Sequence, residues 1–322
     1  MLRHPLEADM TRIFIDGQAG TTGLELSGRL AAREDISLIS IAEHERKNTQ
    51  TRQEHLQEAD LAILCLPDEA AQESVLLAAG RTRILDASTA HRTHPQWTYG
   101  LPELSPEQRS HIAGAQFVSN PGCYPQGFTL LVRPLIDAGL LDAHTALRTH
   151  AVSGYSGGGR QMIERFDAFD EGEKDTFNSQ TYALALQHKH VAEMWTYSKT
   201  ATQPLFSPMV ANFYKGMMVY VPLFIRSELK GAGLSDIHSV YAERYADEPF
   251  IELFDLDSQA MLNEGCLTPT AVNDSNQMQL MIFGNADQVM LTARYDNLGK
   301  GAAGAAVQNL NIMLGIKETT GL

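Results

Sequence analysis

The sequence predicts an α/β protein with two domains, in which a doubly wound parallel sheet is followed by an α+β domain with a mostly antiparallel sheet. Short apolar runs alternate with helical patterns in the first third of the chain, which is typical of a parallel sheet. A glycine-rich turn joins the first run to the first helix. After residue 123 the apolar runs become longer and alternate in polarity, as strands with one exposed face do.

The first domain is predicted from strands and helices that alternate along the chain. Residues 12–16 form a strand, residues 17–23 a glycine turn, and residues 24–33 a helix with apolar or small side chains at helical spacing. Further elements are strands at residues 36–42, 61–66, 83–87 and 116–119, and a helix at residues 68–79. Strands that alternate with helices predict a parallel, Rossmann-type sheet.

The second domain is predicted from strands that lie near one another in sequence. They are expected at residues 146–153, 209–222, 249–256, 277–284 and 288–295. Their alternating polarity favours a mostly antiparallel sheet with a few covering helices. A final helix at residues 301–314 is rich in alanine and glycine, and we expect it to pack back on the first domain.

The turn after the first strand has the spacing of a phosphate-binding loop. It reads Gly17, Gln18, Ala19, Gly20, Thr21, Thr22, Gly23. Glycines let backbone N–H groups approach a pyrophosphate, and the positive end of the following helix favours its charge. The turn therefore predicts a dinucleotide cofactor. Beyond the second strand, Glu43 could bind a ribose hydroxyl of NAD, whereas Arg46 and Lys47 could hold the 2′-phosphate of NADP; the residues leave both open.

A cysteine stands at the start of a predicted helix, after a turn of asparagine, proline and glycine. The motif reads Asn120, Pro121, Gly122, Cys123, Tyr124, Pro125. At a helix N-terminus, free N–H groups and the macrodipole should lower the pKa of the Cys123 thiol and favour the nucleophilic thiolate. The motif predicts Cys123 as the nucleophile of covalent acyl chemistry, and simple packing under the sheet is the alternative.

Two histidines are candidate general acids or bases. We expect either His188 or His190 to lie near Cys123, while the other binds substrate or orients its neighbour. Glu193 could fix an imidazole tautomer or cap a helix. No metal site is predicted, because no third cysteine or histidine lies at ligand spacing.

Two segments are candidate anion-binding sites. Arg92 follows the strand at residues 83–87, so its guanidinium should emerge at the sheet edge where ligands bind, although a surface arginine is equally compatible. The loop at residues 153–160 offers backbone N–H groups, hydroxyls and a cation, and it could also be a plain hinge. Its candidate substrate-binding residues are Ser153, Gly154, Ser156 and Arg160.

Composition limits the classes of partner. The 322 residues carry a net charge of −14, which argues against nonspecific binding to nucleic acid or to anionic membranes. No apolar run is long enough for a membrane span. Three cysteines cannot form a disulfide framework, so we expect a reduced, cytoplasmic protein. A small anionic substrate would then need a local cluster of cations.

These patterns divide the chain into three parts. Residues 1–9 are expected to be a disordered tail. Residues 10–121 together with residues 298–322 form the predicted dinucleotide-binding domain. Residues 122–297 form the predicted catalytic and oligomerisation domain, whose sheet offers a surface for subunit contact.

Seven blocks of the sequence, taken in order, resemble the N-acetyl-γ-glutamyl-phosphate reductases of arginine biosynthesis, in their shorter type. The blocks are residues 16–23, 86–92, 99–104, 120–125, 153–160, 188–190 and 297–304. The resemblance implies NADP (NADPH) as the cofactor and so favours Arg46 and Lys47 as its ligands. It also implies a cofactor role for Ser88, Asn297 and Gly299. A wider relation to aspartate-semialdehyde and glyceraldehyde-phosphate dehydrogenases implies the two-domain fold and a homodimer or homotetramer.

The resemblance implies reduction of N-acetyl-γ-glutamyl phosphate to N-acetylglutamate 5-semialdehyde through a thioester on Cys123. The backbone N–H of Cys123 and the Asn120 side chain would stabilise the oxyanion. His190, in preference to His188, would move the protons, and the candidate anion sites would hold phosphate and carboxylate. The same chemistry on an aminoadipyl or aspartyl phosphate, and a non-catalytic NADP-sensing role, are the alternatives.

Overall fold

The first half of the chain builds a parallel sheet in the computed structural model, which describes residues 10–322 apart from the side chain of residue 175. The strands are β1 (Thr11–Asp16), β2 (Ile36–Ile39), β3 (Leu61–Leu64), β4 (Arg83–Asp86), β5 (Thr98–Tyr99) and β6 (Phe117–Ser119). Their spatial order is β2-β1-β3-β4-β6-β5, and every pairing is parallel. The predicted parallel sheet is confirmed, whereas the predicted tail lies outside the described residues.

Helices cover both faces of this first sheet. They are α1 (Thr21–Ala31), α2 (Thr49–Glu58), α3 (Asp68–Ala78) and α4 (Gln108–Gly114). Successive side chains of a strand point to opposite faces. Ile13 therefore packs with Leu26 of α1 on one face, while Phe14 packs with Leu56 of α2 on the other. The sequence did not predict α2, because Leu56 is the apolar residue that this helix buries.

The second half of the chain builds a mixed sheet. Its strands are β7 (Arg148–Gly154), β8 (Ser179–Thr181), β9 (Leu205–Ala211), β10 (Met217–Phe224), β11 (Ile251–Leu253), β12 (Met278–Gly284) and β13 (Gln288–Tyr295). The spatial order is β11-β12-β13-β10-β7-β9-β8. Only β7–β9 and β11–β12 are parallel among these pairings. The predicted, mostly antiparallel sheet is confirmed.

One predicted strand of this sheet was wrong. Residues 209–222 do not form a single strand, because the chain turns at residues 212–216 and separates β9 from β10. Gly216 has a φ of +111°, a conformation that favours glycine. The two strands then flank β7 on opposite sides.

The helices of the second half are α5 (Cys123–Asp137), α6 (Gly159–Asp167), α7 (Glu171–Thr176), α8 (Val191–Ser198), α9 (Ile225–Glu228), α10 (Leu234–Tyr245) and α11 (Gly304–Leu314). Phe128 of α5 and Tyr241 of α10 share a core with Val219 and Leu291 of the second sheet. No helix among residues 10–322 is long and apolar enough to cross a membrane.

The last helix returns to the first sheet. A short π-helix, Gly299–Ala303, precedes α11. Val307 and Leu310 of α11 pack with Ile63 and Leu85 of the first sheet. The chain therefore completes the first core with residues from its C-terminus.

A buried ion pair fixes this return. Nζ of Lys300 lies 2.6 Å from Oε1 of Glu103, and both side chains are fully buried. Gln308 donates to the same carboxylate oxygen at 2.9 Å and accepts from Lys300 at 2.6 Å. Burial alone would raise the pKa of Glu103, but the charge and hydrogen bond of Lys300 outweigh it and hold that pKa below its usual value.

We expect Lys300→Met to lower the free energy of unfolding by about 3–5 kcal/mol, because it leaves the Glu103 carboxylate buried without its counter-charge. The double variant Glu103→Gln, Lys300→Met should recover most of the loss, since neither charge then remains buried. Urea unfolding followed by circular dichroism measures both changes. Equal urea midpoints for the wild type and Lys300→Met would contradict a stabilising role for the pair.

Candidate active site

The candidate nucleophile lies at the first residue of a helix, as predicted. Gly122 is the extended N-cap of α5, and no side chain of the described residues caps this helix. Pro125 has no N–H to leave unsatisfied in the first turn. The backbone N–H of Tyr124 bonds to the half-buried Cys123 thiol. The turn therefore directs free N–H groups of α5 toward the thiol.

The expected lowering of the Cys123 pKa was wrong in its net direction. Burial raises the pKa of the thiol to about 11. The positive charges of Arg92 and Lys189 and the Tyr124 N–H act in the opposite direction, but burial outweighs them. Cys123 is therefore a thiol at neutral pH, and it must lose its proton to a base before or during attack.

His190 is the histidine that faces the nucleophile turn. It is the buried N-cap residue of α8, and a β-carbon at Gly122 would lie 2.6 Å from its Nε2 atom. Burial, followed by the charge of Arg92, lowers the pKa of His190 well below its usual value. The imidazole is therefore neutral at neutral pH, the form that accepts a proton.

His188 supports this arrangement from the other side. Its Nδ1 atom accepts the backbone N–H of His190 at 3.1 Å, and its ring meets the edge of Tyr124. Burial and the nearby charge of Lys189 lower the pKa of His188 to about 4. A neutral His188 can therefore keep its hydrogen bond to the turn that presents His190.

Glu193 binds the nucleophile turn and Arg92 together. Its Oε1 atom accepts from Nη1 of Arg92 at 2.9 Å. Its Oε2 atom accepts from the Gly122 N–H at 2.9 Å and from the Tyr99 hydroxyl at 3.0 Å. Of the two roles that the sequence offered for Glu193, its contacts favour the one at a helix terminus, because Gly122 is the N-cap residue of α5. Glu193 also orients Arg92 and the turn before Cys123.

A cavity of about 220 Å³ opens beside the thiol. Its lining includes predicted residues from every part of the chain: Thr21, Thr22, Arg92, Asn120, Cys123, Ser156, His188, His190 and Asn297. The described residues also contribute lining side chains that sequence reasoning left without a role, Lys189 and Tyr182. Lys189 stands between the two predicted histidines, so its position in the sequence could have predicted that it lines the cavity. Tyr182 carried no such signal.

The side chains of Asn120 and Asn297 form hydrogen bonds that connect separate segments around this cavity. The Asn120 amide donates to the Ala302 carbonyl at 3.0 Å and accepts from Asn309 of α11 at 3.1 Å. Asn297 accepts from the Gly216 N–H at 2.7 Å and donates to Ser156 at 2.9 Å. These bonds hold the nucleophile turn and the 153–160 loop to the C-terminal segment.

Several predicted residues lie outside the nucleophile cavity. The Ser88 hydroxyl donates to Asp86 at 2.7 Å, and a β-carbon at Gly299 would lie 2.2 Å from the Ser275 carbonyl oxygen. Ser153 and Gly154 line a separate, adjoining cavity of about 50 Å³. Arg160, expected to bind substrate, does not line the nucleophile cavity; its exposed side chain pairs with Glu164 one turn along α6.

The glycine turn is built for close backbone approach. Gly17 has a φ of +90°, and a β-carbon there would lie 2.3 Å from the Cys65 carbonyl oxygen. A β-carbon at Gly23 would lie 2.5 Å from the Gly17 carbonyl oxygen. Helix α1 begins at Thr21, earlier than predicted, and no described side chain caps its first turn. Free N–H groups therefore point from α1 toward any anion at Gly20.

The residues that discriminate between cofactors lie on the surface after β2. Arg46 and Lys47 are exposed. Glu43 is also exposed, and its carboxylate lies 3.8 Å from the Arg46 guanidinium. Arg46 can therefore exchange this weak surface contact for another anion.

A larger cavity of about 580 Å³ lies between α1 and α6. Ala19 and Thr21 of the glycine turn line it, together with Arg160. Thr21 also lines the nucleophile cavity, so the two spaces meet at the start of α1. Among the described residues, no cluster of three or more histidine, cysteine, aspartate or glutamate side chains could hold a metal ion.

We expect Gly122→Ala to lower kcat/KM by about 10²-fold, because its β-carbon would displace Arg92 and His190, each at 2.6 Å. Steady-state kinetics with circular dichroism of the folded variant measures this. Gly114→Ala is the matched control, since a β-carbon there meets no atom within 4 Å. Unchanged kinetics in Gly122→Ala would show that the close approach is dispensable.

Both halves of the chain match models of one enzyme family. Residues 12–112 match the semialdehyde dehydrogenase NAD binding domain. Residues 123–297 match the semialdehyde dehydrogenase dimerisation domain. The boundary between the two matches falls beside the nucleophile turn.

Solved structures share the fold at low sequence identity. An aspartate semialdehyde dehydrogenase from Francisella tularensis superposes with a TM-score of 0.70 at 14% identity, covering 95% of this chain and 100% of that chain. The Candida albicans aspartate semialdehyde dehydrogenase with NADP gives a TM-score of 0.67 at 14% identity, covering 95% and 99%.

Sequence relatives are much closer. The N-acetyl-gamma-glutamyl-phosphate reductase 2 of a Nostoc species is 48% identical over 318 residues, 97% of this chain and 99% of the relative. The N-acetyl-gamma-glutamyl-phosphate reductase of Brucella ovis is 49% identical over 309 residues, 94% of this chain and 99% of the relative. With this identity over nearly the whole chain, the protein belongs to the N-acetyl-γ-glutamyl-phosphate reductase family of semialdehyde dehydrogenases.

Proposed function

We propose that this chain reduces N-acetyl-γ-glutamyl phosphate to N-acetylglutamate 5-semialdehyde and phosphate, as a step of arginine biosynthesis. The observation that carries the chemistry is Cys123, which lies at the open N-terminus of α5 in a cavity shared with His190 and Arg92. The acyl group is inferred from the relatives, which are N-acetyl-gamma-glutamyl-phosphate reductases. Aminoadipyl and aspartyl phosphates are the competing substrates.

The Cys123 sulfur attacks the acyl carbon and forms a thioester, and phosphate leaves. The thiol proton passes to His190, whose neutral imidazole faces the nucleophile turn through Nε2. The uncapped first turn of α5 leaves the Cys123 backbone N–H free to donate to the oxyanion. Asn120 is a weaker candidate for this role, because its amide already donates to Ala302.

His190 would also act in product release, where it gives back the proton that it accepted from Cys123. A reduced nicotinamide held at the glycine turn would supply the hydride that this reduction of the thioester needs. Collapse of the resulting hemithioacetal releases the aldehyde, and His190 returns a proton to the Cys123 sulfur. Arg92, held at the cavity wall by its pair with Glu193, would offer hydrogen bonds to the anionic groups of the substrate, while Glu193 balances its charge.

The residues present fit a dinucleotide. The glycine turn leaves no room for side chains at Gly17 and Gly23, and the first turn of α1 is uncapped among the described residues. The free backbone N–H groups in the first turn of α1 would hold the pyrophosphate. Arg46 and Lys47 are exposed cations placed to hold a 2′-phosphate, so we propose NADP as the cofactor.

We further propose that one domain binds the cofactor and the other carries catalysis and subunit assembly. Residues 10–121 and 298–322 would bind the cofactor, since α11 completes the first core. Residues 122–297 would carry catalysis and form a homodimer or homotetramer. A match to a dimerisation domain supports this assembly. The three free cysteines suit a reducing, cytoplasmic location.

The decisive experiment follows NADP⁺ reduction with N-acetylglutamate semialdehyde and phosphate. We expect phosphate-dependent turnover, and a loss of at least about 10⁴-fold in kcat for Cys123→Ser. Cys266→Ser, which changes an exposed cysteine, is the matched control and should keep full activity. Activity retained in Cys123→Ser would eliminate the covalent route. Turnover with aspartate semialdehyde or an aminoadipate semialdehyde alone would keep the mechanism and replace the substrate.

For the cofactor, we expect the double variant Arg46→Gln, Lys47→Gln to raise the KM for NADPH about tenfold, because two cations that hold the 2′-phosphate are lost. NADH lacks this phosphate, so its KM serves as the internal control and should stay within about twofold. A wild type that uses NADH as well as NADPH would refute the assignment.

A further inference from the structure

The charges that line the nucleophile cavity are unequal. Arg92 and Lys189 are its cationic lining residues, and no aspartate or glutamate belongs to the described lining. His188 and His190 add no charge at neutral pH, because burial lowers the pKa of each. Any net positive charge in the cavity therefore comes from these two cations.

The charge of Arg92 is already compensated. Its Nη1 atom pairs with Glu193 at 2.9 Å, and its Nη2 atom donates to the Ala87 carbonyl at 2.9 Å. Burial opposes the charge of Arg92, but Glu193 outweighs burial and keeps the pKa of Arg92 above its usual value. Arg92 and Glu193 are thus a neutral pair from the viewpoint of an incoming anion.

Lys189 has no such partner. Its side chain is exposed, and no carboxylate of the described residues pairs with it. Its charge nevertheless reaches the reacting groups, since it acts on the pKa values of Cys123, His188 and His190. Lys189 is therefore the uncompensated cation of the cavity.

We propose that Lys189 binds the phosphate group of the acyl phosphate, an inference that rests on the proposed function. The substrate brings two anionic groups, a phosphate and a carboxylate. The phosphate is attached to the carbon that Cys123 attacks, whereas the carboxylate lies at the far end of the acyl chain. Lys189 lines the same cavity as Cys123 and stands in sequence between two histidines that also line it, so we assign the phosphate rather than the distant carboxylate to Lys189.

The chemistry of lysine suits this role. A compact ammonium is a point charge for phosphate, and its flexible stem can follow the group as the bond to the acyl carbon breaks. The leaving phosphate gains charge in that step, so a free cation at the site favours departure. In the reverse direction, the same residue would collect phosphate for attack on the thioester.

The test measures the phosphate-dependent oxidation of N-acetylglutamate semialdehyde in Lys189→Gln. We expect the KM for phosphate to rise about tenfold, as for the loss of one charge-assisted contact. The KM for the semialdehyde should stay within about threefold, because it carries the carboxylate and no phosphate. Lys189→Arg should restore most of the phosphate affinity. Lys317→Gln makes the same charge change on an exposed lysine outside the cavity, and should be silent.

Two kinetic results would overturn the proposal. An unchanged phosphate KM in Lys189→Gln would remove Lys189 from the phosphate site. An equal or larger rise in the semialdehyde KM would place the carboxylate on Lys189 instead.

A second measurement does not depend on turnover. Phosphate should protect the Cys123 thiol from iodoacetamide, and Lys189→Gln should need about tenfold more phosphate for equal protection. Mass spectrometry of the Cys123 peptide gives the rate, and exposed Cys266 is the internal control. Equal phosphate dependence in both proteins, or no protection in the wild type, counts against Lys189. Lysine-dependent protection without turnover on the proposed substrate would leave the phosphate site intact and refute the proposed function alone.

Discussion

One buried carboxylate, that of Glu193, holds the nucleophile turn, Arg92 and the segment that contains His188 and His190 in one arrangement. Glu193 lies in the first turn of α8, three residues after His190, and its two oxygens accept from Arg92, Tyr99 and the Gly122 N–H. A buried carboxylate needs such partners, because an unpaired charge in the interior is costly. The same requirement that stabilises Glu193 therefore also positions Arg92 and the turn before Cys123. Each partner comes from a different segment of the chain, so the arrangement depends on contacts between residues that are distant in sequence.

Burial of the site shifts the pKa values of two candidate proton-transfer groups, Cys123 and His190, in opposite directions. It raises the pKa of the Cys123 thiol and lowers that of His190. Both groups are neutral at rest, which avoids a permanent ion pair in a poorly solvated space. In the proposed mechanism the thiolate would form during the reaction, when free N–H groups of α5 and nearby cations can stabilise the developing charge. Reactivity is thus tied to the presence of substrate.

Local patterns were sufficient to predict the sheets, the glycine turn and the position of Cys123 at the start of a helix. These features depend on spacing and on turn residues, which a single segment contains. The pairing of Arg92 with Glu193 joins residues 101 positions apart, and no local pattern specifies it. The net pKa of Cys123 depends on burial by distant elements, so the helix N-terminus alone gave the wrong direction. The sequence did not predict that Arg160 pairs with Glu164 outside the nucleophile cavity, because the orientation of its side chain depends on how α6 packs.

The bond between Asn309 and Asn120 has a consequence for how the protein is made. Asn309 lies in α11, near the C-terminus, and holds the turn before Cys123. Domains generally fold as the ribosome releases them. Here the helix that completes the first core, and holds the nucleophile turn, leaves the ribosome after the other helices and strands of the described residues. A chain that is interrupted before α11 therefore contains Cys123 without the hydrogen bond from Asn309 that holds the turn before it.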